Sequence, residues 1–416
     1  MRLYSFEFWV IIGQSQKKRS LKTMKILAIE TSCDETALSV VDASGPFGKA
    51  SFNVPGSALI SQIDIHKEYG GVFPSLAKRE HTRNLIPLLE QVLKKSKLYK
   101  KRKKTVPFDE KTKKKLADML SYEPDLLTAF LDFIPTIEKP KIDAIAVTQG
   151  PGLEPALWVG INFAKVLHYI WGVPLVPTNH MEGHVVASLM DKKSLTGKSR
   201  MHSPAFPALA LLISGGHTQL VLITKWGSYK IIGETRDDAV GEAFDKVARM
   251  MGLPYPGGPE ISLLAKQARS ASLPSDSISL PRPMITSKNY DFSFSGLKTA
   301  VLYSIKKIPD LTDEIKKNIA REFEDAVTEV LISKTKRAMI EHKTQSLILG
   351  GGVIANQYIR ASFKKMAKEF PKLSLYFPER SLSTDNATMI ALAGYFNFLK
   401  KPHHTKTFKA SGNLSL

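Results

Sequence analysis

KILAIETSCDETALSVVD (residues 25–42) and ALALLISGGHTQLVLIT (residues 208–224) are two versions of one pattern, and their pairing decides the fold. Each opens with a short apolar run of β type, breaks at a turn of small and hydroxyl residues, and resumes as a second run. In the first copy KILAIE (25–30) leads through TSCDET (31–36) to ALSVVD (37–42). In the second, ALALLI (208–213) leads through SGGHT (214–218) to QLVLIT (219–224), and YKIIGE (229–234) follows as a third strand. A strand, turn and strand met twice, each time followed by α/β units, predicts a duplicated α/β architecture with a cleft between two lobes. Across that cleft the two turns would form a phosphate clamp, because small residues let backbone N–H groups approach an anion.

Outward from the first copy, REHTRNLIPLLEQVLKKSKL (79–98) places Leu85, Leu88, Leu89 and Val92 on one helical face. IDAIAV (142–147) returns as a strand into the glycine turn TQGPGL, PALWVGINFAKVLHYIWG (155–172) reads as a helix, and PLVPTN (174–179) as a strand. After the second copy come a helix over 314–340, the strand and glycine turn SLILGGGV (346–353), and the helix ANQYIRASFKKMAKEF. The expected organisation is an N-terminal extension (1–23) outside the fold, an N-terminal lobe (24–203), a C-terminal nucleotide-binding lobe (204–384), and a C-terminal helix and tail (385–416). Glu7 interrupts the apolar start and no small-residue cleavage site follows, so the extension is read as an upstream start rather than a targeting signal.

Composition sets the outer limits. At 416 residues, 43% apolar and 24% charged, the chain suits a two-lobed soluble protein, and no apolar run reaches the length of a bilayer crossing. The single cysteine, Cys33, excludes an internal disulfide framework and favours a reducing compartment, so a cytoplasmic protein is expected. Lys and Arg outnumber Asp and Glu by 59 to 39, and the net charge of +20 points to a polyanionic partner, or simply to solubility. Half of that excess sits between Lys94 and Lys115, where twelve basic side chains meet only Asp109 and Glu110. This run opens an insert, roughly 96–140, whose later part KKLADMLSYEPDLLTAFLDFI has helical apolar spacing. It reads either as a clamp for nucleic-acid phosphates or as a solvated lysine loop.

NHMEGH (179–184) carries two histidines four positions apart. On a helix His180 and His184 share a face, which is metal-ligand spacing, while Glu182 points nearly the opposite way. In the zinc-peptidase pattern HExxH the glutamate directly follows the first histidine and reaches the metal-bound water, so a metalloprotease is disfavoured here. Two helix histidines without a metal remain the plainer alternative.

A longer series of motifs narrows the choice. ETSCDET (30–36), HKEYGGVFPSLAKREH (66–81), GPGL (150–153), HMEGH (180–184), LLISGGHTQL (211–220), GEAFDKVARMMGLPYPGGP (241–259), DFSFSGLKTA (291–300), GGGVIAN (350–356) and STDNATMIA (383–391) occur in one order. In that order the chain, from about Met24 to Gly394, resembles the bacterial TsaD family, the tRNA N6-adenosine threonylcarbamoyltransferases. The resemblance implies the two-lobed fold of actin-like ATPases, sugar kinases and Hsp70. It implies transfer of threonylcarbamoyl from threonylcarbamoyl-adenylate to N6 of the adenosine next to the anticodon, at position 37, of tRNAs reading codons that begin with A, with release of AMP.

The metal ligands it implies are His180, His184 and Asp385, for Fe2+ with Zn2+ as the alternative. Leu212, Ile213, Ser214, Gly215, Gly216, Asp245, Gly258 and Asn356 match substrate-binding positions, although Asn356 equally suits a helix N-cap. Asp34 and Glu35 are candidates for substrate positioning or base work, Cys33 is read as structural, and Lys298 receives no role. The partners implied are tRNA, an inactive paralogue and a small ATPase, with a homodimer as a further possibility and no membrane. Asn179 where a histidine is usual, Glu154 and Pro155 where small residues are common, and Ser383 before Thr384 depart from the family pattern. From other functional classes, a regulatory or chaperone-like ATPase module and a small-molecule kinase share this fold, and neither needs a two-histidine, one-carboxylate site.

Overall fold

A computed structural model of the chain describes residues 23–191, 199–271, 278–400 and 408–416. The N-terminal extension expected at 1–23 lies, apart from its last residue, outside the described residues.

Strand β1 (Met24–Glu30) is buried from Ile26 onward and runs through the middle of the first sheet. Its alternation feeds two cores, as the period of two requires: Ile26 and Ala28 point into one, Leu27 and Ile29 into the other. β2 (Glu35–Ser44) and β3 (Ser51–Ser61) continue antiparallel, β4 (Ala144–Gly150) and β5 (Leu175–Asn179) pair in parallel on the far side of β1, and β6 (Ser199–Arg200) adds a short edge. The order is β5-β4-β1-β2-β3-β6. The second sheet repeats it as β11-β10-β7-β8-β9. There β7 (Ala208–Ile213), β8 (Thr218–Lys225) and β9 (Ser228–Glu234) are antiparallel neighbours, while β10 (Ser346–Gly350) and β11 (Ser374–Tyr376) join in parallel.

Strand β3 is an addition to the sequence reading. Pro55 and Gly56 make SFNVPGSALIS look like a loop, but β3 lies near the sheet edge, where a strand tolerates proline. Gly56 is there for contact: a Cβ on it would stand 2.8 Å from the Val92 carbonyl oxygen.

Helix α1 (Ile63–Lys67) is short. Helices α2 (Pro74–Lys95) and α5 (Glu154–Trp171) cover one face of the first sheet. The insert folds against them as α3 (Glu110–Met119) and α4 (Pro124–Phe133). The other face receives α6 (His180–Ser188) and the late helix α12 (Ala387–Lys400), which returns from the far end of the sequence. Ala208, Ala210 and Leu212 of the second sheet join that same core, so α6 is sandwiched and every residue in it is buried. A helix enclosed on all sides needs no polar face, which is why HMEGHVVAS shows so little amphipathic pattern. Leu209, Leu211 and Ile213 face the opposite core, built with α7 (Val240–Met250), α8 (Gly257–Ser270), α9 (Ser295–Lys306), α10 (Asp313–Glu341) and α11 (Gln357–Ala367). No described helix is long and apolar enough to cross a membrane.

The end of the chain is tied to the first sheet. Phe408 and Ala410 are buried, Ser411 N–H donates to Gln149 O at 3.0 Å, and Gly152 N–H donates to Gly412 O at 3.1 Å. Gly150, at φ +153°, admits no side chain here, because a Cβ would lie 1.9 Å from the Ser411 carbonyl oxygen.

Candidate metal centre

β5 of the first sheet and β10 of the second both end against α6, and three polar side chains meet at this rim. α6 begins directly where β5 ends. Asn179 is its N-cap, with Oδ1 accepting from Met181 N–H at 2.8 Å and Glu182 N–H at 3.2 Å. His180 and His184, one turn apart, face Asp385, two residues before α12, whose first turn is capped by Asn386 Oδ1 accepting from Met389 N–H at 3.0 Å. His180 Nε2 lies 3.3 Å, and His184 Nε2 3.2 Å, from Asp385 Oδ1. One ligand atom from each residue falls within 4.8 Å of the others.

A divalent ion fits this donor set. His184 Nε2 is buried without a hydrogen bond, since its approach to Asp385 has the distance but not the geometry of one. A buried imidazole nitrogen left unpaired is costly unless something accepts its lone pair. Burial works against a charged His180, yet the Asp385 and Glu30 carboxylates prevail and hold its pKa well above the usual histidine value. Burial likewise opposes ionised Asp385, and the two histidines overcome it and hold it well below the usual carboxylate range. His184 is pushed down, by burial first. The two carboxylates thus favour positive charge on the His180 side of the cluster, while burial disfavours it on His184.

Glu30, which the sequence reading quoted but gave no role, supports the centre from below. It is fully buried at the end of β1, and His180 Nδ1 stands 3.1 Å from its Oε2. Thr148 Oγ1 donates to the same oxygen at 2.6 Å, and Ser32 N–H donates to Oε1 at 2.6 Å. A carboxylate on Nδ1 fixes the tautomer that turns Nε2 toward an ion. His217 in the SGGHT turn is a second residue near the centre that the sequence does not single out. Burial first, then His180 beside it, pushes its pKa down to about 4, so at neutral pH it presents an uncharged imidazole to the site. Both residues join the centre only in three dimensions; their sole sequence signal is membership of the quoted motifs.

Glu182 has a different task. It is buried, accepts from Tyr229 OH at 2.9 Å and from Asn397 Nδ2 at 3.0 Å, and so ties α6 to β9 and α12. It has no freedom to activate water at the centre.

The remaining predicted residues divide by what they can offer. Leu212 and Ile213 are fully buried with their side chains in opposite cores, so only their backbone can meet a ligand. Ser214 folds the turn on itself, its Oγ accepting from His217 N–H at 3.1 Å, while Gly215 and Gly216 have open space where a Cβ would sit. Gly258 is open in the same way. Asp245 accepts from Gly257 N–H at 2.7 Å, and burial pushes its pKa up to about 6 against the pull of the Gly257 and Gly258 amides. The Asp34 carboxylate of the first turn adds to that rise, so the first turn and α7 lie within electrostatic reach of each other. Asn356 caps α11, with Oδ1 accepting from Ile359 N–H at 3.0 Å, and its amide donates to Ser262 Oγ and Glu324 Oε1, both at 2.7 Å. Its side chain shapes the turn beside Gly352 rather than reaching into it.

Asp34 is buried, and Glu35 is driven well above the usual carboxylate range by burial and then by Asp34. Burial and Asp34 also push the Cys33 thiol well up, which removes the thiolate a nucleophile needs. Lys298 Nζ lies 3.1 Å from Asp238, an ion pair within the second half of the chain.

Comparison with known proteins adds an independent line. A family model described as TsaD, tRNA N6-adenosine threonylcarbamoyltransferase, matches residues 53–106 and 134–392. The tRNA N6-adenosine threonylcarbamoyltransferase of Persephonella marina is 41% identical over 378 residues, covering 90% of this chain and 90% of that protein. Its counterpart in Ralstonia pickettii is 41% identical over 384 residues, 91% of this chain and 93% of its own. The Bacillus subtilis protein of the same description is 38% identical over 380 residues, 91% and 92%.

Proposed function

The chain belongs to the tRNA N6-adenosine threonylcarbamoyltransferase family and is an acyltransferase that modifies tRNA, and from this premise we propose the details of donor, acceptor and site. The donor is threonylcarbamoyl-adenylate. The acceptor is N6 of the adenosine at position 37, next to the anticodon, in tRNAs reading codons that begin with A. The N6–carbonyl bond forms as the bond from that carbonyl to the phosphate oxygen breaks, AMP leaves with the electron pair, and N6 gives up a proton. No covalent enzyme intermediate is needed, which agrees with a Cys33 thiol that stays protonated.

The reading rests above all on one observation: His180, His184 and Asp385 converge at the rim beside the SGGHT turn. These three would hold one divalent ion, Fe2+ by preference for two imidazoles and a carboxylate, with Zn2+ as the alternative. When bound, the ion supplies Lewis acidity toward the threonylcarbamoyl group. The rest falls to the chain. The amides of Ser214–Gly216 hold the adenylate phosphate, Asp245 accepts from ribose hydroxyls, and Gly258 and the turn before Asn356 leave room for adenine. Because N6 is a weak nucleophile, positioning carries much of the rate. The site then lies between two lobes of an actin-like fold, 24–203 and 204–384. The protein works in the cytoplasm with tRNA, an inactive paralogue and a small ATPase, the last two as helper subunits.

The test is incubation of the metal-loaded chain and its helper subunits with threonylcarbamoyl-adenylate and unmodified tRNA, followed by mass analysis of the nucleosides. Threonylcarbamoyladenosine is expected. Its absence, under conditions where a bacterial relative makes it, would overturn the reading.

A further inference from the structure

The lysine-rich hairpin is not used by the site above, and the family match passes over residues 107–133. It is nevertheless well built. Leu116, Leu120, Leu126, Phe130 and Ile134 are buried in the same core as α2 and α5. Asp109 caps α3 by accepting from Thr112 N–H at 2.6 Å. At the base, Arg102 N–H donates to Thr136 O at 2.8 Å and its Nε donates to Ile137 O at 2.7 Å. A run of lysines kept only for solubility requires no such frame.

The frame also decides which lysines are spoken for. Lys94 pairs with Glu90 at 2.7 Å and Lys113 with Glu110 at 2.8 Å. Lys101, Lys103, Lys104, Lys111, Lys114 and Lys115 are exposed, and among the described residues none has a carboxylate in ion-pair reach. The last three share one face of α3, at three- and four-residue spacing. At the far end of the hairpin Tyr122 is 78% exposed, with Lys78 Nζ 5.9 Å from its ring centroid. Lys78 sits three positions before His81, whose Nε2 is 2.9 Å from the Cys33 carbonyl oxygen in the first turn. Tyr122 is thus linked through Lys78 and α2 to the first turn, and the lysines lie back from it along α3, a helix about 15 Å long.

We propose that this hairpin is a second tRNA contact, in which the unpaired lysines bind phosphates of the anticodon stem while the anticodon loop enters the cleft, and Tyr122 offers a ring for stacking. The proposal rests on the tRNA-modifying function above and names where the rest of that substrate lies. Phosphate contacts of this kind position a substrate and carry no sequence information, which suits an enzyme acting on several tRNAs.

The test combines Lys104→Glu, Lys111→Glu, Lys114→Glu and Lys115→Glu in the full chain and measures the Kd for unmodified tRNA across salt concentrations. The control reverses Lys306, Lys307, Lys365 and Lys368, which are exposed in the other half of the chain and change the net charge equally. The hairpin variant is expected to bind on the order of tenfold or more weakly near 0.1 M salt. Its log Kd against log salt should flatten by about 3, close to one unit per lost phosphate contact. Metal content and the rate at saturating tRNA should stay unchanged, and Tyr122→Ala should weaken binding about fivefold. An unchanged Kd and slope in the hairpin variant overturns the proposal, and so does an equal loss in the control, which would mark a bulk charge effect. Failure of the unaltered chain to bind tRNA at any salt would instead overturn the functional reading itself, before any variant is compared.

Discussion

Helix α6 and the α3–α4 hairpin use charge in opposite ways. In α6 a few ionisable groups are enclosed at fixed positions: His180 lies against Glu30 and Asp385, Glu182 is held by Tyr229 and Asn397, and His184 Nε2 faces Asp385 with no hydrogen bond of its own. On the hairpin many lysines face water without partners. Enclosed charge acts at short range in a low dielectric and tolerates little change, whereas exposed charge is screened and acts collectively. One arrangement suits chemistry at a point. The other suits holding a long polyanion.

Four measurements test this contrast. The largest effect is expected from Asp385→Ala: loss of bound metal and a fall in transfer rate on the order of a thousandfold, as removal of a Lewis acid worth several kcal/mol implies. Retained metal by elemental analysis would break the picture of α6. Phe130→Ala should cost about 3–5 kcal/mol in denaturant unfolding by emptying the hairpin's anchor, yet leave metal affinity intact. A matching loss of metal would show that the two regions are not independent.

Third is acid sensitivity. His81 is fully buried, with Thr36 Oγ1 at 2.8 Å and Gln62 on its Nδ1, the Cys33 carbonyl on Nε2, and Glu30 and His66 near enough to act on it. Burial pushes its pKa down to about 4. Between pH 6.5 and 4 the unfolded chain binds a proton that the folded chain refuses. Stability should be full above pH 6.5 and fall by about 3 kcal/mol as the pH drops through that window. His81→Gln should flatten that slope in pH-dependent unfolding, whereas the hairpin lysines contribute nothing to it. The smallest effect is expected from Glu30→Gln. Metal affinity should drop about 10- to 100-fold while transfer recovers at saturating metal. An unchanged affinity in a metal titration would detach Glu30 from the centre.

The two regions also differ in how far the sequence exposes them. Helical spacing of four shows the pairing of His180 with His184, because one turn of helix is a local rule. Motif order ties in Asp385, two hundred positions away. Nothing local announces that Glu30 lies under His180 or that His217 neighbours it, since both contacts depend on how two sheets enclose α6. The hairpin's lysines are plain in the sequence, but whether they fold is decided by Leu116, Leu120, Leu126 and Phe130, whose spacing is helical only on either side of the break before Pro124. β3 escapes for a third reason: Pro55 and Gly56 answer to an edge position and to a close helix, which only the assembled sheet reveals.

The chain's last residues lie in the same neighbourhood. Asn179 caps α6 with its oxygen and, through Nδ2, donates to Leu414 O at 3.4 Å and Ser415 O at 3.1 Å. An affinity handle fused behind Leu416 would thus emerge beside the residue that starts the histidine helix. Which terminus carries the purification label becomes an experimental variable in its own right, and metal content compared between the two preparations would reveal its influence.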